Sequence, residues 1–181
     1  PPQRHVVPAR PEIARRLGDP RTLAHAVGGK YSAFSWPRDT DAWLEMAEEL
    51  LRLGAQMGDK EQAFFGHFHA FGAYMVRGDV EAARRRCEET ARVAQELRQP
   101  SQTWLSLVAE ATLHLFTGDV ARAEQAMERG SQLGLDAQGP FDATYQYVIN
   151  LVGWAVRREQ GRLAEVLDSL RTYVAENPGV F

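Results

Sequence analysis

Apolar residues recur every three or four positions along most of this chain. The clearest stretch is 60–77, which lies between Gly58-Asp59 and Gly78-Asp79 and contains no proline. Phe64, Phe65, Phe68, Phe71 and Met75 fall at helical intervals there, which predicts an amphipathic helix. In 80–97, Val80, Ala83, Cys87, Ala91 and Ala94 form an apolar stripe. Glu81–Arg85, Arg84–Glu88, Glu88–Arg92 and Arg92–Glu96 line the opposite face at i,i+4 spacing. The same period predicts helices over 11–17, 21–34, 40–57, 101–117, 120–133, 141–160 and 163–175. Tyr145–Ile149 has strand propensity, but the helical period around it is taken to win. The three prolines before residue 11 predict an extended leader over 1–10.

The breaks between these stretches repeat. Gly78-Asp79-Val80-Glu81-Ala82-Ala83 returns 40 residues later as Gly118-Asp119-Val120-Ala121-Arg122-Ala123, and more loosely from Gly161. Leu17-Gly18-Asp19 returns at the same spacing as Met57-Gly58-Asp59. Asp79 can cap the helix that follows it, its carboxylate accepting from exposed backbone N–H groups in the first turn. Two alternating turn signals in a period of about 40 predict an all-α array of helix pairs. The pairs read 21–34 with 40–57, 60–77 with 80–97, 101–117 with 120–133, and 141–160 with 163–175. Ala83 and Ala123, near the start of each second helix, should allow close approach. Trp43 and Val166 at the matching places predict wider spacing in the first and last pairs. Phe64, Trp104 and Tyr147, at corresponding places in successive first helices, read as an inter-repeat core.

Gly-Asp-hydrophobic-x-x-Ala between two helices resembles the hairpin turn of tetratricopeptide repeats. The turn Asn177-Pro178 resembles the proline turn that closes such a repeat, and the segment Ala14–Ala26 is similar to repeat junctions in the C-terminal arrays of large actinobacterial ATP-binding transcriptional regulators and cyclases. The likeness covers residues 11–181 and implies a superhelix of helix pairs. It departs from the pattern at mid first helix, where a small residue is usual: Tyr31, Phe71 and Trp154 stand there, and only Ala111 is small. Because the chain starts without Met and stops at the turn Asn177-Pro178-Gly179-Val180-Phe181, which should lead into another helix, we expect a piece of a longer solenoid. The apolar Leu163, Val166, Leu167, Leu170, Tyr173 and Val174 of the last helix would then be left uncovered, favouring self-association through the C-terminal end.

Composition narrows the function classes. The net charge is -3, with 21 basic and 24 acidic residues interleaved, which argues against a nucleic-acid footprint. With Cys87 the only cysteine, no internal disulfide forms, and a cytoplasmic location is expected. No apolar run approaches the roughly 20 residues of a membrane span, and Pro1-Pro2-Gln3-Arg4 does not read as a signal peptide.

Candidate chemistry is sparse. Gly28-Gly29-Lys30 lacks the upstream glycine, preceding strand and following Ser or Thr of a phosphate loop, and reads as a weak spot within a helix. His67 and His69 at i,i+2 face different ways and cannot chelate, so both read as surface or groove histidines. Glu110 and His114 at i,i+4 read as a hydrogen-bonded pair without a third ligand. Cys87 reads as a small core hydrophobe, Asp39 and Asp41 as capping groups, and Arg84-Arg85-Arg86 as a solvated face. No nucleophile, acid–base pair or metal set converges, so no enzyme, cofactor or metal is expected.

The resemblance implies a non-catalytic scaffold that holds a protein or peptide partner, or neighbouring domains of its own chain. By register with Gly78, Gly118 and Gly161 it points to Phe65, Phe68, Leu105, Val108, Thr112, Leu151 and Arg158 as the concave groove. The alternative is an arm that senses a small inducer for an ATP-dependent regulator. Lys30, His67, Tyr74, Glu110, His114, Asn150 and Arg157 would then supply the polar groups.

Overall fold

The computed structural model describes residues 11–29, 39–136 and 152–176, and among them every regular element is a helix. The predicted Tyr145–Ile149 segment, and Leu151, Lys30, Tyr31, Tyr147 and Asn150, lie outside the described residues. The chain forms two compact units, Pro1–Gln99 and Pro100–Phe181. Among the described residues no helix is long and apolar enough to cross a membrane.

The first unit holds α1 (Pro11–Leu17), α2 (Pro20–Gly28), α3 (Thr40–Met57), α4 (Lys60–Arg77) and α5 (Val80–Leu97), each packed on the one before. Two-residue turns join α3 to α4 and α4 to α5, too short for any but an antiparallel return. Gly58 and Gly78 take φ of +63° and +74°. After them, the Asp59 and Asp79 N–H groups donate to the carbonyls of Gly54 (2.9 Å) and Tyr74 (3.0 Å), closing the end of each helix. The Asp59 carboxylate then accepts from the Glu61 and Gln62 N–H groups, and that of Asp79 from Ala82. One dipeptide thus ends a helix and starts the next. Asp39 differs: it sits at the N-cap position of α3, but its side chain makes no capping bond.

Arg98 takes the same left-handed conformation (φ 54°) 20 residues after Gly78 and 20 before Gly118. A Cβ is strained there, and the exposed arginine side chain makes no ion pair among the described residues. Arg98→Gly is therefore expected to stabilise the chain by about 0.5–1 kcal/mol, the relieved strain being partly offset by a more flexible unfolded state. A lower melting temperature for this variant would contradict the strain.

Helix pairing differs in emphasis from the sequence expectation. α3 lies along α4 at least as extensively as α4 along α5, and three glycines explain why. A Cβ on Gly54 would meet the Ala63 backbone N at 2.8 Å, one on Gly66 the Leu51 Cγ at 2.7 Å, and one on Gly72 the Trp43 ring at 2.4 Å. Against α4 the Trp43 indole is buried, and the missing side chain of Gly72 makes room for it. Trp43 joins Ala24, Val27, Met46, Leu50, Leu53 and Ala73 in one core cluster. In α5 the buried stripe is Ala82, Ala83, Cys87, Thr90, Val93 and Ala94, with Val80 and Ala91 half-buried. Thr90 is fully enclosed, and its hydroxyl is satisfied by donating to the Arg86 carbonyl (2.8 Å). Of the four expected i,i+4 ion pairs, Arg92–Glu96 forms (2.5 Å), and Arg92 and Arg84 reach back to Glu89 and Glu81 at i,i+3.

The second unit holds α6 (Pro100–Phe116), α7 (Val120–Asp136), α8 (helical over 152–159) and α9 (Ala164–Glu176). α6 packs on α7 across Trp104, Leu107, Ala123 and Ala126, all buried. Gly118 (φ 83°) and Asp119 repeat the same turn, with Asp119 N–H donating to the His114 carbonyl at 2.8 Å. A Cβ on Gly153 would lie 2.9 Å from the Met127 Cε, so α8 closes on α7. Leu167 and Val174 of α9 are exposed, and Val166 is half-buried.

Candidate functional site

α4 carries an aromatic run whose members divide by depth. Phe64 and Phe71 are core, whereas Phe65 and Phe68 are half-buried. Phe64 and Phe68 stack at 6.2 Å between centroids, and Phe65 and His69 lie at 6.3 Å with planes 27° apart. His69 also meets Trp43 and Phe68 edge-on. The reading of His69 as a surface or groove group is thereby corrected: only 8% of it is exposed, because α3 covers that side of α4. Burial penalises its charged form and pushes its pKa down to about 4, so the ring is neutral near pH 7.

The other histidine of the pair is fixed differently. His67 Nδ1 lies 3.3 Å from an Arg86 N–H, and a guanidinium can only donate, so Nδ1 accepts and the proton sits on Nε2. Burial, then the Arg86 charge, lowers the His67 pKa. Arg86 also pairs with Glu48, tying α5 to α3 and α4. Its place in a solvated basic run is corrected: its side chain is only 24% exposed.

Among the described residues of the first unit, two openings bear on binding. One is a broad charged groove of about 680 Å³ beside α3, flanked by Arg15, Asp41, Glu48, Glu49 and Arg77. Most of its charges are already paired, Arg15 with Glu49 and Arg77 with Asp41. Asp41 is thus an ion-pair partner of α4 as well as an N-terminal acid of α3. The other is a cavity of about 300 Å³ where α2, α3 and α4 meet, lined by Ala24, His25, Gly28, Gly29, Leu50, Gln62, Phe65 and His69. Gly28 and Gly29 are not a weak spot inside a helix: α2 ends at Gly28, and the Gly29 N–H caps it by donating to the His25 and Val27 carbonyls.

The expected groove residues fall in both units. Phe65 and Phe68 in the first, and Leu105, Val108 and Thr112 in the second, are all half-buried. The Thr112 hydroxyl is occupied by the Val108 carbonyl (2.7 Å). Arg158 stands over the Trp154 ring and pairs with Glu159 (2.7 Å), so it is a surface group braced by its own helix. Glu110 and His114 are 4.0 Å apart, beyond hydrogen-bond length, and Arg129 approaches Glu110 at 3.7 Å. A cation already faces that carboxylate. Among the described residues no three His, Cys, Asp or Glu side chains cluster as metal ligands would.

Arg157 serves structure. It pairs with Glu124 of α7, which also accepts from Gln160 (2.6 Å) and Arg162 (3.5 Å). Arg162 grips Glu165 through two bonds of 2.7 and 2.8 Å. This network holds α7, α8 and the start of α9 together. The hydrogen bond from Arg157, then that from Gln160, lowers the Glu124 pKa. A lowered carboxylate pKa adds stability above the ordinary glutamate range, and that stability is lost as pH falls through the lowered value. Glu124→Gln should therefore melt lower at neutral pH, and the gap should close as pH falls from the ordinary glutamate range through the lowered value. A gap that persists unchanged in acid would remove this carboxylate from the account.

The polar cavity residues His25, Gln62 and His69 were not singled out as a site by sequence. The available signals were the Gly28-Gly29 pair and the two-histidine run, but neither says which helix covers which face. The sequence matches no protein-family model and no curated protein.

Proposed function

We propose that this chain is a non-catalytic binding module, a tetratricopeptide-like array of helix pairs that holds a protein or peptide partner or neighbouring parts of its own chain. One observation supports this most. Phe65 and Leu105, and Phe68 and Val108, stand 40 residues apart, and all four are half-buried rather than enclosed in the core. In each unit taken by itself, half-exposed apolar side chains on a first helix suit an amphipathic helix or an extended segment. Panning a displayed random-peptide library against the folded chain tests the reading. Ligands should emerge whose binding weakens at least tenfold in Phe68→Ala or Val108→Ala, the effect of losing an apolar anchor worth about 1–2 kcal/mol. No enrichment, or peptides indifferent to both changes, would overturn it.

A second reading is favoured by the cavity beside Phe65. Its volume of about 300 Å³ is at the small end of ligand-site sizes, and it combines apolar walls with a few polar groups. On this reading the module senses a small effector. Its polar groups would be His25, Gln62 and His69, not the set expected from sequence.

A further inference from the structure

The inference rests on the effector reading and gives it a site and a ligand chemistry. Most interior glycines here have a structural reason, such as the close contacts at Gly54, Gly66 and Gly72. Gly28 has none. Its φ lies outside the left-handed range, and a Cβ there would meet nothing within 4 Å. Gly29 has φ -64°, a value any residue adopts. Alanine would favour the helix more at Gly28. Gly28 lines the cavity, and its missing side chain leaves that part of the wall bare.

The walls of that cavity select among ligands. Phe65 and His69 stand one turn apart on α4 with their rings at 27°, presenting a broad aromatic surface. Fully buried Ala24 and Leu50 add an apolar floor. The side chains of Gln62 on the wall and His25 at the exposed rim make no hydrogen bond among the described residues, and Gln62 offers both donors and an acceptor. No Asp, Glu, Lys or Arg is among the described lining residues. From these residues an ionised ligand would gain no counter-charge for the hydration it loses. The carboxyl end of α2 further disfavours an anion.

We propose that this cavity binds an uncharged, flat aromatic small molecule, seated against Phe65 and His69 with a polar edge toward Gln62. The test is titration of the full chain, followed by nuclear magnetic resonance, with indole, its charged analogues indole-3-acetate and tryptamine, and the non-planar cyclohexanol. Indole should bind saturably, and the other three at least tenfold more weakly. Gly28→Leu should block indole by filling the space from α2, and Gln62→Phe by filling it from α4. Melting curves of both variants establish that they are folded, and either folded variant suffices. Indole binding that neither change weakens would overturn the site. A charged analogue that binds as well as indole and is blocked by Gly28→Leu would overturn the ligand chemistry while supporting the effector reading. Failure of all four compounds would overturn the inference, whereas hits elsewhere on the chain in a wider fragment screen by the same measurement would uphold the effector reading alone.

Discussion

Gly54→Ala is expected to destabilise the chain by about 1–3 kcal/mol. The new methyl carbon would sit 2.8 Å from the Ala63 backbone N and 3.1 Å from the Asp59 carbonyl oxygen. Neither atom can swing aside. The Ala63 N–H is bonded to that same carbonyl (3.2 Å) in the first turn of α4, and the Asp59 carboxylate caps the turn. The methyl must therefore push α3 and α4 apart along the seam that also seats Leu51 on Gly66 and Trp43 on Gly72. The helix-propensity advantage of alanine, about 1 kcal/mol, is too small to reverse this. Gly28→Ala is the control: it meets open space and should be neutral or mildly stabilising. Thermal or urea unfolding of the two variants decides the matter, and equal behaviour would mean that the seam is not tight.

Ala83→Leu and Ala123→Leu are each expected to cost about 1–3 kcal/mol as well. Both alanines are fully enclosed, Ala83 where α5 meets α4 and Ala123 where α7 meets α6. Three extra carbons in such a place force a rotamer or a helix to move. Ala121→Leu lies on an exposed face two residues away and should change little. If all three leucine variants melt together, the facing of α5 and α7 described above is wrong.

These pairs show how unevenly the structure could be read in advance. The enclosure of Ala83 and Ala123 and the capping by Asp79 were legible, since each depends on residues within a few positions along the chain. Phe64 and Trp104 were legible as core for the same reason: helical periodicity places them on the apolar stripe. The site was far less legible. His69 read as a surface or groove group because its own helix leaves that side open, and it is α3 that covers it. Arg86 read as solvated because its partners Glu48 and His67 lie 38 and 19 residues away. Arg157 read as a possible effector contact, yet Glu124 on another helix holds it.

By itself, then, the sequence determined the Gly-Asp breaks between helices and which stripe of each is apolar, though not that α2 ends at Gly28. Those properties follow from backbone conformation and from a 3.6-residue period, both local. Only the tertiary structure decided that α3 and α4 meet at three glycines, that His69 is desolvated and neutral, and that Gly28 opens onto a cavity. Each of these depends on which helix faces which. That choice is made by the complementary shapes of side chains distant in sequence, such as the Trp43 indole and the gap at Gly72, and no period along the chain encodes it.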